Sequence, residues 1–168
     1  AYFGHLKGIK RSLISLFASR LRVWDVSSSA RVDRFIANSS FVQSRIYKFY
    51  RRDAFVLNPP IDTEFYTPLK DSQPKRDYFL TVSALVPYKR LDLLIEAFNK
   101  SGDKLIIVGK GPEEKRLKGL VKGDIHFKRD LSPSELRDLY REAKAFVFAG
   151  TEDFGMAFVE AMACGTPV

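Results

Sequence analysis

Four largely apolar stretches restrict the second half of this chain to one class of fold. They lie at residues 78–82, 105–108, 125–127 and 145–148, with helix-like segments between them. A strand that faces solvent on one side alternates apolar with polar residues, whereas an unbroken apolar strand is buried on both faces. Such strands, alternating with helices, predict an α/β fold in which helices cover both faces of a parallel, Rossmann-like sheet.

Helix start and stop signals occupy the gaps between these stretches. Gly102 is suited to end a helix, because glycine readily adopts the left-handed conformation common after helix ends. Ser132 and Glu135 have the spacing of a capping box, in which each side chain accepts a hydrogen bond from a free backbone N–H group. Helices are therefore predicted at residues 91–99, from Pro112 onwards, at 133–143 and at 155–163.

The first third of the chain has a different pattern. Apolar residues recur at steps of three and four from Leu6 to Trp24, which predicts an amphipathic helix. A second helix is predicted after Ser39 or Ser40, either of which can cap its first turn. Two short strands flank that helix, at residues 34–37 and 54–57.

A proline-rich segment divides the chain. Residues 58–77 contain four prolines, which remove backbone donors and fix backbone angles, and this composition predicts a linker. We therefore expect the end of an N-terminal domain at 1–57 and a second domain at 78–168. The chain starts without Met and stops within what reads as a further strand, so we also expect a piece of a longer protein.

Positive charge is concentrated in the first third. Residues 1–52 hold eleven Lys and Arg against Asp25 and Asp33, a formal net charge of +9, whereas residues 53–168 sum to −1. Three interpretations are open: a nucleic-acid face, a surface for anionic lipid or a lipid-linked substrate, and a solvated helix face. Nucleic acid is the partner that we do not expect, because zinc-finger spacing and RNA-binding aromatic motifs are missing.

Composition excludes several other classes of protein. No stretch approaches the length of a transmembrane helix, and the first residues lack the apolar core of a signal peptide. One cysteine, Cys164, and two distant histidines, His5 and His126, argue against a disulfide scaffold and against a metal site. We expect a cytoplasmic protein, with contact to the inner face of the membrane if the basic segment binds anionic lipid.

The candidate binding residues lie in three loops that follow predicted strands. Ligands of parallel α/β sheets bind at the carboxyl ends of the strands, where such loops meet. The first loop has two adjacent cations, the second has small residues that leave room for a ligand beside the backbone, and the third opens a helix. These features are Lys89 and Arg90, then Gly109, Lys110 and Gly111, then the turn at Gly155.

Two carboxylates complete the pattern. Glu152 lies in the third loop, and Glu160 lies two turns into the helix that follows. A helix N-terminus has free N–H groups and the positive end of the helix dipole, so it is suited to a phosphate. A carboxylate one or two turns further can accept hydrogen bonds from a pair of sugar hydroxyls. Together these groups are suited to a nucleoside diphosphate joined to a sugar.

At this point the sequence resembles a family. Residues 152–160, followed by Ala-Met-Ala-Cys-Gly-Thr-Pro-Val, look like the glutamate, seven residues, glutamate signature of family 4 glycosyltransferases with the GT-B fold. Residues 85–92 resemble the family's donor-phosphate loop, especially in mannosyltransferase-like members, and residues 108–112 match its glycine turn. Residues 34–39 and 58–62 match the end of the N-terminal domain and the linker.

The resemblance implies a fold and a reaction. The fold is the C-terminal, donor-binding half of GT-B, with a remnant of the N-terminal domain. The reaction is a retaining, metal-independent transfer of a sugar, mannose from GDP-mannose by the resemblance, to a glycan or lipid-linked acceptor. The departing phosphate is implied to take the acceptor proton. No Asp-x-Asp metal motif occurs in the sequence, which agrees with metal independence.

The resemblance also implies residue roles. Lys89 and Glu152 are the implied catalytic residues, the first at the donor diphosphate and the second at hydroxyls of the transferred sugar. Glu160 is implied to bind the ribose hydroxyls. The remaining implied donor-binding residues are Arg90, Gly109, Lys110, Gly111, Gly155, Met156 and Ala157.

Some positions depart from the family pattern, and other functions stay open. Ala84 stands where the family has an arginine that binds donor phosphate, and Arg90 is the nearest candidate to replace it. Glu114 stands where a dinucleotide-binding motif needs its third glycine, which argues against a nicotinamide enzyme. A GT-B epimerase of nucleotide sugars and a basic, non-catalytic membrane- or partner-binding module are the alternatives. Without an acceptor half, the chain by itself is expected to be inactive.

Overall fold

The computed structural model describes residues 9–69 and 77–168, which divide into two compact units at Pro59 and Pro60. The first unit pairs two short strands in parallel, with Phe35 opposite Ala54. Ser39 caps its second helix, accepting a hydrogen bond from the Val42 amide at 3.1 Å. Its elements are α1 (Ile9–Ser29), β1 (Phe35–Ala37), α2 (Ser40–Tyr50) and β2 (Ala54–Val56).

The second unit contains a four-stranded parallel sheet. Its strands lie in the order β5-β4-β3-β6, and each neighbouring pair is parallel. A 3-10 turn at Pro87–Lys89 precedes α3. The elements are β3 (Tyr78–Val82), α3 (Leu91–Ser101), β4 (Lys104–Val108), α4 (Glu114–Lys118), β5 (Ile125–Lys128), α5 (Pro133–Glu142), β6 (Ala145–Phe146) and α6 (Met156–Ala163). The predicted α/β class with a parallel sheet is confirmed.

Helices cover both faces of this sheet. Successive side chains of a strand point to opposite faces, and β4 shows this directly. Ile106 packs in one cluster with Tyr140 of α5 and Ala161 of α6. Ile107 packs in the other cluster with Ile95 of α3 and Leu117 of α4. The core of the second unit is therefore two apolar layers, one on each side of the sheet.

The strand order reverses direction at β3. From β3 the chain adds β4 and then β5 on one side, and β6 then takes its place on the other side of β3. The helices that follow these two neighbouring strands, α3 and α6, pack on opposite faces of the sheet. Such a point opens a crevice between the two loops, and it is where open α/β sheets bind ligands.

Two element boundaries show how the structure differs from the sequence prediction. The helix expected from Pro112 begins at Glu114, because the Glu113 amide donates to the Leu85 carbonyl at 3.0 Å and holds that turn outside the helix. The strand expected over residues 145–148 covers Ala145–Phe146 only. The capping box at Ser132 is confirmed in both of its hydrogen bonds.

The predicted linker is partly packed on the second unit. The guanidinium of Arg137 lies 4.5 Å from the ring centroid of Phe65, and Nε of Arg141 donates to the Thr67 carbonyl at 2.6 Å. Residues 60–69 thus belong to the second unit, and they contact α5. Residues 70–76 of the predicted linker lie outside the described part of the chain.

The helices of the first unit leave large apolar side chains exposed. Of the predicted amphipathic stripe, Phe17, Leu21 and Trp24 are exposed, whereas Leu6 lies outside the described residues. Helix α2 buries none of its residues. None of the described helices is long and apolar enough to cross a membrane.

Candidate functional site

Two predicted site residues meet at the point where the strand order reverses. Lys89 ends the 3-10 turn that follows β3, and Glu152 lies in the loop that follows β6. The ammonium Nζ of Lys89 donates to Oε1 of Glu152, although the two residues are 63 positions apart in sequence. The side chains are only 11% and 25% exposed. The structure therefore brings the two proposed catalytic residues into direct contact.

Aromatic rings and a glycine shape the surroundings of this ion pair. The Lys89 ammonium lies 5.1 Å from the ring centroid of Tyr88 and 5.7 Å from that of Phe148, so the rings' negative faces add to its stabilisation. A Cβ at Gly150 would lie 2.8 Å from the Lys89 carbonyl oxygen. The absence of a side chain at Gly150 is what lets the β6–α6 loop approach the backbone of Lys89.

The β6–α6 loop leads directly into the N-terminus of α6. Gly155 is the N-cap at φ +86°, a conformation that strains other residues, and no side chain caps this helix. The first N–H groups of a helix have no acceptor within the helix, so the backbone N–H groups at Gly155, Met156 and Ala157 can donate to an anionic group. Met156 is exposed, whereas Ala157 packs against the core.

The second glutamate is held by a buried tyrosine. Oε2 of Glu160 accepts a hydrogen bond from the hydroxyl of Tyr140 at 2.8 Å, and Tyr140 is fully buried. Burial, with a smaller contribution from the Glu160 charge, raises the pKa of the Tyr140 hydroxyl, and the same two causes raise the pKa of Tyr66. Both hydroxyls therefore stay protonated, and Tyr140 remains a donor to the carboxylate.

The structure pairs the other two predicted cations with nearby aspartates. Arg90 adopts φ +53° and binds Asp92 at the start of α3, with Nε 3.1 Å from Oδ1. Nζ of Lys110 lies 3.4 Å from Oδ1 of Asp130, and both side chains are mostly exposed. Neither pairing is with a candidate glutamate, and each cation keeps further N–H donors.

The glycine turn after β4 lies against the loop that follows β3. A Cβ at Gly109 would overlap the Ser83 carbonyl oxygen, and one at Gly111 would lie 2.8 Å from the Leu85 carbonyl carbon. The Leu85 amide donates to the Lys110 carbonyl at 3.1 Å, which continues the β3–β4 pairing into the loops. Close packing between two loops is thus a reason for both glycines that the sequence did not reveal. Room for a ligand beside them stays a prediction.

Tyr140 is a candidate site residue that sequence reasoning missed. Its position on the apolar side of a predicted helix indicated burial, but a helical pattern does not show which acceptor a buried hydroxyl meets. Tyr66 was missed for another reason, because it lies in the segment interpreted as a linker. Among the described residues, no group of three or more His, Cys, Asp or Glu could hold a metal ion.

Comparisons with known proteins point to one family. The sequence profile described as "Glycosyl transferases group 1" matches residues 62–168. A probable sucrose-phosphate synthase of Thermosipho melanesiensis is 34% identical over 140 residues, which cover 73% of this chain and 33% of that protein. The O-antigen chain mannosyltransferase RfbU of Salmonella typhimurium is 27% identical over 150 residues, covering 84% and 42% respectively.

Solved structures share the fold. The chain matches Anabaena HepE in complex with UDP and glucose with a TM-score of 0.73 and 21% identity, covering 88% of this chain and 46% of that one. At this identity the match shows the GT-B glycosyltransferase fold. The chain spans about a third to two fifths of the length of the two curated relatives named above.

Proposed function

Because this chain belongs to the glycosyl transferases group 1 family, we propose that residues 78–168 bind the nucleotide-sugar donor of a glycosyltransferase. Residues 1–57 would be the end of the acceptor domain, with 58–77 as the connection. The observation that carries the proposal is the contact between Lys89 and Glu152 at the reversal of strand order. In a nucleotide sugar, phosphate and sugar are covalently joined, so a site for it needs a cation beside a hydroxyl-binding carboxylate.

The proposed residue roles follow from this arrangement. The donor diphosphate binds Lys89 and the N–H groups at the start of α6, at Gly155, Met156 and Ala157. Its arrival replaces Glu152 as a partner of Lys89 and leaves that carboxylate beside the sugar hydroxyls. Glu160 accepts hydrogen bonds from the ribose. The remaining proposed donor contacts are Arg90, Gly109, Lys110 and Gly111.

The proposed reaction is transfer with retention and without a metal. The bond from the anomeric carbon to the phosphate oxygen breaks, and a bond to the acceptor oxygen forms on the same face of the sugar. The acceptor proton passes to an oxygen of the departing phosphate. Lys89 and the end of α6 stabilise the charge that develops on this leaving group, and one such preorganised donor contributes about 3 kcal/mol.

The proposed donor is GDP-mannose, and the proposed acceptor is a glycan or a lipid-linked glycan. Support for mannose comes from the Salmonella relative, which is named a mannosyltransferase of the O-antigen chain. The Anabaena structure contains UDP and glucose, so UDP-glucose is the donor to compare with GDP-mannose.

Calorimetric titration of the chain with GDP, UDP and ADP tests the donor site. One nucleotide is expected to bind saturably, and Lys89→Ala is expected to weaken it at least about tenfold, because a buried charged contact is lost. Lys100→Ala is the matched control: it removes one exposed lysine, paired with Glu96 on α3, and is expected to leave the affinity unchanged. Absence of binding, or equal losses in both variants, would contradict the proposal.

Product analysis with the full-length enzyme separates transfer from epimerisation. GDP-mannose or UDP-glucose is supplied with acceptor glycan, with and without EDTA, and the products are examined by NMR. A glycoside with the donor's anomeric configuration, formed equally with EDTA, is the expected result. A sugar that stays on its nucleotide with an inverted ring carbon would indicate the epimerase instead, and loss of activity in EDTA would contradict metal independence.

Peripheral contact between the first unit and an anionic, cytoplasmic membrane face is part of the proposal. Helix α2 contains Arg45 and Lys48 but no acidic residue, and its Phe41, Tyr47 and Phe49 are about half exposed. Basic and aromatic side chains on one helix suit the headgroup region of an anionic bilayer. Sedimentation with phosphatidylserine vesicles is expected to carry the chain down at low salt, and high salt or phosphatidylcholine vesicles should abolish it. Equal binding to neutral vesicles would contradict an electrostatic contact.

A further inference from the structure

The carboxylate of Glu160 is hydrogen-bonded to Tyr140, a residue that lies outside the family signature. Tyr140, on α5, is fully buried, and its hydroxyl donates to Oε2 of Glu160 at 2.8 Å. Glu160 itself is partly exposed, on the second turn of α6. The hydrogen bond thus joins a buried helix to the helix that begins at the candidate phosphate site.

We propose that Tyr140 is a positioning residue, which holds the Glu160 carboxylate in the orientation that receives the ribose hydroxyls of the donor. This inference rests on the donor site proposed above. A carboxylate has about four acceptor positions over its two oxygens, so one bond from Tyr140 leaves acceptor capacity for a diol. A free glutamate side chain loses rotamer freedom when it binds a ligand, and a side chain already held in place loses less.

The surroundings of Tyr140 make it a rigid support. Its ring packs edge-on against Tyr66 at a centroid distance of 6.0 Å, and it packs against Phe146 at 6.1 Å with the two ring planes tilted by 42°. Its carbonyl oxygen accepts a hydrogen bond from the Thr166 hydroxyl, which is also buried. Both ends of the residue are therefore anchored, and the hydroxyl has little freedom to leave Glu160.

The segment that contains Tyr66 and Thr67 is held against α5 beside Tyr140. Arg141, the residue after Tyr140, donates to the Thr67 carbonyl at 2.6 Å and to the Thr67 hydroxyl at 2.8 Å. This pins the chain around Tyr66 beside Tyr140, so two protonated tyrosine side chains lie near the Glu160 carboxylate. An arrangement of this kind favours a carboxylate that is preorganised over one that is free in solvent.

A second buried tyrosine provides a matched comparison. Tyr78 is also buried, and its hydroxyl also meets α5, but it donates to the backbone carbonyl of Leu139 at 3.0 Å. Removal of either hydroxyl leaves its acceptor with one partner fewer, at a similar cost in stability. Only the hydroxyl of Tyr140 acts on a candidate ligand-binding group. The two Tyr→Phe variants therefore separate positioning from stability.

The test compares ribose recognition in Tyr140→Phe and Tyr78→Phe. Calorimetry measures the affinities of UDP, GDP and ADP and of their 2′,3′-dideoxy counterparts, which lack both hydroxyls. For the base that it recognises, the wild-type chain should bind the ribonucleotide more tightly than the dideoxy counterpart. Tyr140→Phe should reduce that preference about tenfold, the range for a hydrogen bond to a charged group, with the dideoxy affinity unchanged. Tyr78→Phe should keep the preference, with a comparable loss of melting temperature.

Two further variants identify the hydrogen bond as the cause. In a Glu160→Gln background, Tyr140→Phe should change the ribose preference no further, because the two residues act as one unit. With p-aminophenylalanine at position 140, a donor is restored and the preference should return, which also serves if Tyr140→Phe does not fold.

The outcomes distinguish this inference from the donor site itself. An unchanged ribose preference in Tyr140→Phe, or no recovery with p-aminophenylalanine, would overturn the positioning role while the donor site stands. A wild-type chain that binds ribo- and dideoxynucleotides equally would remove Glu160 from ribose recognition, and the inference with it. A chain that binds no nucleotide would overturn the proposed function and everything that rests on it.

Discussion

The thiol of Cys164 is packed in the core, where reagents in solvent do not reach it. It is 2% exposed in the cluster with Tyr140 and Ala161, and burial raises the pKa of Cys164 to about 11. Because the thiolate is the reactive form, the folded chain should react with a disulfide reagent at neutral pH about 100-fold more slowly than the chain in concentrated guanidinium. The unfolded chain should titrate as one thiol. Fast labelling of the folded chain would contradict this burial.

Substitutions at two glycines test how much loop packing and backbone angle each contribute to the free energy of unfolding. Gly109 has φ +149°, and a Cβ there would overlap the Ser83 carbonyl oxygen, whereas Gly102 has φ +77° with open space around it. Gly102→Ala should cost about 1 kcal/mol, the penalty for a left-handed alanine. Gly109→Ala adds a steric overlap and should cost about 2–4 kcal/mol in total. Denaturant unfolding measures both, and equal costs would show that the loops separate easily.

At the scale of single elements, the capping box of α5 is a self-contained source of stability. Oγ of Ser132 accepts from the Glu135 amide at 3.3 Å, and the Glu135 carboxylate accepts from the Ser132 amide at 2.7 Å. Ser132→Ala should lower the free energy of unfolding by about 1 kcal/mol, whereas Ser132→Asp, another good cap, should retain most of it. Urea unfolding of the two variants measures both free energies, and an unchanged stability in Ser132→Ala would mean that the cap contributes little.

Elements also show where local signals are insufficient. Ser132 with Glu135, and Gly102, predicted the start of α5 and the end of α3, because capping depends on neighbours within one turn. The start of α4 at Glu114 could not be read this way. It depends on the hydrogen bond from Glu113 to Leu85, and Leu85 belongs to a loop that follows a different strand.

At the scale of the whole molecule, the division at Pro59 and Pro60 predicts separable behaviour. The second unit contains the four-stranded sheet, both apolar clusters and every candidate donor residue. Residues 60–168 produced alone should unfold in one cooperative transition and bind nucleotide with the affinity of the whole chain. They should not sediment with anionic vesicles, since the excess positive charge lies in residues 1–52. Circular dichroism, calorimetry and sedimentation provide the three measurements.

Three results with residues 60–168 would contradict these expectations. If residues 60–168 do not fold, the first unit must supply structure that the second needs, and the division would be wrong. If they fold but still bind vesicles, the basic segment is not the membrane contact. Nucleotide affinity that falls about tenfold or more on truncation would place donor contacts in residues 1–59.

The sequence by itself determined the fold class, and it predicted which residues form the candidate site. An unbroken apolar strand such as β4 is buried on both faces, and this pattern predicts a parallel sheet between helices. Tertiary structure alone decided that Lys89 meets Glu152 and that Tyr140 meets Glu160. The first contact depends on β6 lying next to β3, and the residues of neither strand reveal that neighbour. The second depends on how α5 and α6 pack on one face of the sheet, because a helical pattern indicates which side is buried but not what it is buried against.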